Sequence, residues 1–279
     1  MSTTDQFTPA LQAYQGIQAE FQPGEKPLHI DARNSPPESP PDLVSILPNE
    51  SLQLGLSEEG FPLMLNVYDP APGSLLVAGD EGSGKTAFLQ SLAETSAFQD
   101  PGEIQFGVLT PFPEEWKRLE ALPNCMGVWP TDHLAASDFL SQMISWANVL
   151  PSSRQAVLVL FEDLDLLTSG NNKVQQDLRL LLMSGPERQI WPIVTVNPGK
   201  LTRLENWLGY FQTRILGQIK HPQTASLLTG DTKINLATLL PGIQYGLSHL
   251  EGWQIFRLPP VKKYSSLFMD FSSIGRSMS

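Results

Sequence analysis

Gly79-Asp80-Glu81-Gly82-Ser83-Gly84-Lys85-Thr86 sets two glycines, a lysine and a hydroxyl at the spacing Gly-x-x-x-x-Gly-Lys-Thr, directly after the apolar run Ser74-Leu75-Leu76-Val77-Ala78. This pattern suits the binding of phosphates. The glycines let the backbone curl so that successive N–H groups point inward, the Lys85 ammonium can reach the outer phosphates of a nucleoside triphosphate, and the Thr86 hydroxyl can ligate magnesium. All eight positions from Gly79 to Thr86 are therefore nucleotide-binding candidates, with ATP and Mg²⁺ as the expected ligands. The pattern also needs a strand before it and a helix after it. Both are present, the helix being expected over 87–98 with Phe88, Leu89, Leu92, Ala93 and Phe98 able to face a sheet.

Hydrolysis needs more than a phosphate loop: a carboxylate near magnesium and a group that positions water. Val157-Leu158-Val159-Leu160-Phe161-Glu162-Asp163 is an apolar run ending in two acids, and Asp165 adds a third. Acids at the carboxyl end of a parallel strand lie along the same sheet edge as the phosphate loop. If the strand runs through them, Glu162 and Asp163 point to opposite sides and take different jobs. The competing reading is that these acids cap the following turn. Asn197 ends the run Ile193-Val194-Thr195-Val196, where its amide could bond a γ-phosphate or the attacking water, or simply form a turn with Pro198-Gly199. Arg214, at the start of a late strand, could reach a neighbouring subunit's nucleotide or make a surface ion pair.

The elements that must hold these residues alternate between strand and helix, as in a three-layer α/β domain. Strands are expected over 104–109, 125–129, 156–161, 193–197 and 214–217. Helices are expected over 114–121, 132–149, 173–183, 201–208 and 221–228. A hairpin around Ser57-Glu58-Glu59-Gly60 precedes the phosphate loop, placed to cover the adenine side of a nucleotide, and a second hairpin around Glu251-Gly252 closes the domain. Seven prolines between 23 and 48 prevent a continuous helix or central strand there. The expected organisation is a proline-rich extension over 1–50 that can dock a protein partner, an ATPase domain over 51–258 and a tail over 259–279.

Composition bounds the function classes. No apolar run approaches the ~18 residues that span a bilayer, and the first residues lack a basic segment followed by an apolar one, so a soluble, cytoplasmic protein is expected. The single cysteine, Cys125, excludes an intrachain disulfide and a cysteine metal cluster. The net charge of −11 is unevenly spread: residues 1–170 carry 6 Lys/Arg against 23 Asp/Glu, and residues 171–279 carry 12 against 6. A basic second half suits an anionic polymer or an acidic neighbour, with Lys173, Lys200 and Arg203 as candidate phosphate contacts.

The order of these motifs resembles the FtsK/HerA group of P-loop ATPases, ring-forming motors that pump double-stranded DNA. The resemblance covers residues 50–258. It rests on the hairpin from Leu54 to Leu65, the phosphate loop, and Leu160-Phe161-Glu162-Asp163-Leu164-Asp165-Leu166-Leu167, which is similar to the group's acid-acid-Leu-x-Asp-Leu strand end. Thr195-Val196-Asn197-Pro198 stands where these motors have Ala-Thr-Gln-Arg-Pro, and Thr213-Arg214-Ile215-Leu216 looks like their Arg-Ile strand. The resemblance implies a RecA-like fold with a mainly parallel sheet, a homo-oligomer such as a hexamer, and double-stranded DNA as partner. It implies Thr86 and Glu162 as magnesium-supporting residues, Asp163 as the water-activating acid, Asn197 as a polar sensor and Arg214 as an arginine finger acting across a subunit boundary. Two departures stand out: the usual Asp-Glu pair is reversed to Glu162-Asp163, and Asn replaces Gln at the sensor. Related motors that drive protein transport, and a low-turnover nucleotide-dependent scaffold, are the alternative readings.

Overall fold

A computed structural model describes residues 50–131, 134–148, 155–170, 172–249 and 252–259. The expectations for the proline-rich extension and for the C-terminal tail lie outside these residues, apart from Glu50 and Pro259. The chain opens with the expected hairpin, β1 (Ser51–Ser57) and β2 (Pro62–Asn66), followed by β3 (Leu75–Ala78) and helix α1 (Lys85–Ser96). Next come β4 (Ile104–Thr110), a 3₁₀ turn over Pro113–Trp116 leading into the short α2 (Lys117–Glu120), β5 (Cys125–Pro130) and α3 (Leu134–Asn148). The strand β6 (Ala156–Phe161) runs into α4 (Leu164–Thr168) and α5 (Asn172–Ser184), and β7 (Ile190–Val196) into α6 (Leu201–Leu208). The order closes with β8 (Thr213–Leu216), α7 (Pro222–Thr229) and the second hairpin, β9 (Gln244–His249) and β10 (Gly252–Arg257).

The strands form one ten-stranded sheet in the order β2-β1-β10-β9-β8-β3-β7-β6-β4-β5. From β8 to β5 all pairings are parallel; from β8 outward through β9, β10, β1 and β2 all are antiparallel. The parallel strands read as continuous apolar runs because each buries both faces. In β6, Val157, Val159 and Phe161 pack into one core with Phe139 of α3, Leu181 of α5 and Leu204 of α6. Ala156, Leu158 and Leu160 pack into the other with Phe88 and Leu92 of α1 and Trp116. The result is the three-layer α/β/α architecture read from the sequence.

Two local outcomes differ from expectation. β7 starts at Ile190, ahead of Pro192, because at that point it pairs only with β6; its pairing with β3 begins at Leu75↔Ile193. A missing N–H is tolerated where a strand has a neighbour on one side only. Three strands separate the first hairpin from β3, and it joins the second hairpin through Leu56↔Arg257 and Ser57↔Phe256. Its Leu52, Leu54 and Leu65 enter the core beneath α1 with Tyr245 and Phe256.

Candidate nucleotide site

The phosphate loop leaves β3 at the carboxyl edge of the parallel block and opens α1. Gly82 (φ 75°) and Gly84 (φ 96°) take left-handed backbone conformations, which side-chain-bearing residues adopt only at a cost. Gly84 is also crowded: a Cβ there would lie 2.4 Å from the Gly242 Cα and 2.5 Å from the Tyr245 hydroxyl. That crowding marks a brace under the loop. The Gly242 N–H donates to the Ser83 carbonyl at 2.9 Å and the Tyr245 hydroxyl to the Gly84 carbonyl at 2.7 Å, so the turn before β9 and β9 itself hold the loop from below.

Lys85 folds back over this loop, its ammonium donating to the carbonyls of Gly79 at 2.6 Å and Asp80 at 2.9 Å. Burial lowers its pKa, opposed by the charges of Asp80, Asp163, Glu81 and Glu162. A cation held in this way is short of compensating charge, and a phosphate would supply it. The Ser83 hydroxyl is buried with no hydrogen-bond partner. Asp80 turns away to accept the Lys220 N–H at 2.9 Å, pinning the loop to the segment after β8. Glu81 is exposed.

Both acids sit at the end of β6, but the strand stops at Phe161. Strand alternation still carries Glu162 to the α1 side, where it is 5% exposed. Its Oε2 accepts bonds from the Thr110 hydroxyl, at the end of β4, and from the Trp116 indole N–H at 3.3 Å. Both bonds fall on Oε2, so Oε1 keeps its capacity for a ligand. Asp163 leaves strand geometry altogether. It adopts a left-handed conformation (φ 67°), its N–H donates to the Thr195 hydroxyl at 2.9 Å, and its Oδ1 caps α4 by accepting the Asp165 N–H at 3.2 Å. The picture of a strand continuing through both acids is thus corrected: a turn separates them, and for Asp163 the capping role is realised. Its other oxygen pairs with Lys200 at 2.7 Å, and Lys200 also reaches Asp165 at 3.3 Å.

Asn197 follows β7, which lies between β3 and β6, so its backbone flanks the phosphate loop. Its Oδ1 accepts the Gly199 N–H at 3.0 Å, the turn-forming role weighed from the sequence. Arg214 stands apart from this group. Ile215 belongs to the core beneath α1, so the neighbouring Arg214 side chain falls on the opposite face. There its guanidinium donates to the carbonyls of Leu228 at 2.8 Å and Leu208 at 3.4 Å, clamping the ends of α7 and α6. Among the described residues no carboxylate pairs with it, so the alternative of a surface ion pair is not realised there. Of the three candidate cations for an anionic polymer, Lys173 pairs with Asp177 and Lys200 with the acids above, while Arg203 stays exposed.

Sequence reading missed Thr110, Trp116, Gly242 and Tyr245, and did not foresee the pairing of Lys200 with Asp163 and Asp165. Thr110 alone carried a signal, as a polar residue ending an apolar strand beside the acid-bearing one. Among the described residues no group of three or more His, Cys, Asp or Glu forms a metal cage. The donor set instead suits magnesium, which takes one or two protein oxygens and completes its shell with water and phosphate: Glu162 Oε1 and the Thr86 hydroxyl, which has no partner among the described residues.

A Gly-x-x-x-x-Gly-Lys-Thr loop between a strand and the helix it opens is the context a P-loop requires, and here β7 lies between its strand and the one that ends at the buried Glu162. The chain matches no protein-family model and no curated protein, but solved structures share its architecture. ATPases 2 and 3 of EssC from Geobacillus thermodenitrificans superpose with a TM-score of 0.63 at 13% identity, over 81% of this chain and 48% of that one. The cytoplasmic domain of the Thermomonospora curvata type VII secretion ATPase EccC gives 0.60 at 16% identity, over 78% and 30%. The pCW3 conjugation coupling protein TcpA, solved with ATPγS, gives 0.61 at 12% identity, over 76% and 66%. The chain thus spans less than two thirds of the length of each. Its fold is the P-loop ATPase fold that these structures share, and among the described residues no helix is long and apolar enough to cross a membrane.

Proposed function

We propose that residues 51–258 form an ATP-hydrolysing motor domain that works as a homo-oligomer, a hexameric ring being the arrangement the resemblance implies. The observation that carries this reading is Glu162, a carboxylate buried at the end of β6 on the α1 side, held through one oxygen and open at the other. Thr86 and Glu162 would hold magnesium, which when bound supplies positive charge to the phosphate oxygens. The loop N–H groups and Lys85 bind and orient the phosphates, Asn197 flanks the terminal one, and Asp163 receives the water's proton once its pairing with Lys200 is released. Arg214 serves a neighbour's site only if it gives up its bonds to Leu208 and Leu228.

Double-stranded DNA is the cargo that the resemblance implies. A protein segment is the second reading, supported by the neutralisation of Lys173 and Lys200 within the chain and by likeness to secretion ATPases. Duplex DNA should stimulate turnover, with binding that falls steeply as salt rises, if DNA is moved; a flat response assigns the protein cargo.

The central test measures nucleotide binding and turnover together. Lys85→Ala should lose ATP affinity while its urea unfolding curve stays unchanged. Glu162→Gln should bind ATP and hydrolyse it at least ~100-fold more slowly, because the neutral amide cannot support the metal. Wild-type turnover in Glu162→Gln, or a wild-type protein that binds no nucleotide, would overturn the proposal.

A further inference from the structure

Lys200 is a cation at this edge to which the proposed reaction assigns no contact with nucleotide. It follows β7 by a single 3₁₀ turn, Pro198–Lys200, and β7 is the direct neighbour of β3 in the register Ala78↔Val196. The turn that carries Lys200 and the turn that cradles phosphate are therefore adjacent loops on one sheet edge. Its ammonium, with the side chain about a third exposed (34%), pairs with Asp163 at 2.7 Å and Asp165 at 3.3 Å. Asp163 also acts electrostatically on Lys85. One carboxylate is thus paired with Lys200 and near enough to the phosphate-loop lysine for its charge to act there.

That arrangement has a consequence for a triphosphate. The terminal phosphate brings negative charge to the space beside Asp163, and the two anions repel. A flexible four-carbon stem lets the Lys200 ammonium leave a carboxylate for a phosphate nearby, trading one charge-assisted bond for another. A diphosphate ends short of that position and leaves the ion pair intact. Arg214 cannot serve this purpose within its own chain, since its guanidinium clamps two helix ends on the opposite face.

Building on the proposed ATP site, we infer that Lys200 is a second phosphate-binding cation supplied in cis, one that contacts the terminal phosphate and thereby reads triphosphate against diphosphate. Its departure also uncovers the Asp163 carboxylate. The resting ion pair is then the diphosphate-bound or empty arrangement, and the phosphate-bound lysine the triphosphate one.

The test is equilibrium binding of ATPγS and ADP, each with magnesium, to the full chain and to Lys200→Met, with thermal unfolding of the nucleotide-free proteins alongside. ATPγS affinity should fall about tenfold or more, as expected for loss of a charge-assisted bond, while ADP affinity stays within about twofold. Asp163→Asn frees the lysine and removes a repelling charge, so it should tighten ATPγS and leave ADP unchanged. Most of that gain should vanish in Asp163→Asn/Lys200→Met. Equal loss of both nucleotides, loss of neither, or a gain in Asp163→Asn that survives in the double variant would overturn the inference while leaving the ATP site intact. A wild-type chain that binds neither nucleotide would sink both.

Discussion

Alanine at Gly84 and alanine at Gly82 make the same chemical change two residues apart, yet the surroundings predict different outcomes. Each residue has a left-handed backbone (φ 96° and 75°), so each substitution costs about 1–2 kcal/mol in conformation alone. At Gly82 nothing lies within 4 Å of the new Cβ, and the cost ends there. At Gly84 the Cβ would meet the Gly242 Cα at 2.4 Å, the Tyr245 hydroxyl at 2.5 Å and the Gly242 nitrogen at 2.7 Å. Relief requires a separation larger by about 1 Å, since carbon atoms rest at ~3.5–4.0 Å. Such a shift cannot keep the 2.9 Å bond to the Ser83 carbonyl and the 2.7 Å bond to the Gly84 carbonyl. Losing both adds about 2 kcal/mol at roughly 1 kcal/mol each. Gly84→Ala should therefore destabilise by about 3–4 kcal/mol and Gly82→Ala by about 1–2 kcal/mol, from the sum of these terms. Urea unfolding of the nucleotide-free proteins reads the difference directly. If the two variants agree within ~0.5 kcal/mol, the brace from Gly242 and Tyr245 does not bear on the loop and the reasoning fails.

Arg214→Ala should lower the stability of the nucleotide-free protein by about 1–3 kcal/mol, because the carbonyls of Leu228 and Leu208 lose a charged donor. Unchanged thermal unfolding together with lost turnover at normal ATP affinity would instead assign this arginine to a neighbour's site. Cys125 should react slowly with thiol reagents: burial pushes its pKa from 9.0 to about 11, leaving a thiolate fraction at pH 8 roughly 100-fold smaller than that of an ordinary thiol. Because the folded chain holds this proton more tightly, stability is unaffected below pH 9 and falls as pH rises from there to about 11. Labelling at the rate of a free thiol would show that the half-buried Cys125 is not shielded in this way.

The phosphate loop was legible because each of its residue types has a separate job at a fixed spacing, and the parallel strands because burial on two faces leaves few choices but Val, Ile, Leu and Phe. What escaped depends on partners distant in sequence. Nothing near Asp163 announces a left-handed turn, which follows from the Thr195 hydroxyl taking its N–H and from the cap it makes on α4. Arg214 reads as a reach to a neighbour's nucleotide or a surface ion pair, because nothing local shows that Leu208 and Leu228 end two helices beside it. The basic second half looked like an electrostatic face, but folding brings the acids of the first half to Lys200. The union of the two hairpins through β1 and β10 joins segments near opposite ends of the domain, and no local pattern encodes that pairing.

The brace beneath the phosphate loop also sets an order in time. Tyr245 follows Gly84 by 161 residues, so a chain emerging from the ribosome exposes its nucleotide motif long before the residues that support it. A nascent or truncated chain ending short of Gly242 carries the whole motif without its brace, and leaves β8 with an unpaired edge where β9 belongs. Contacts this far apart in sequence form late and slowly. Completion of the candidate pocket thus waits on the last strands of the domain, and on the proposed function nucleotide binding would wait with it.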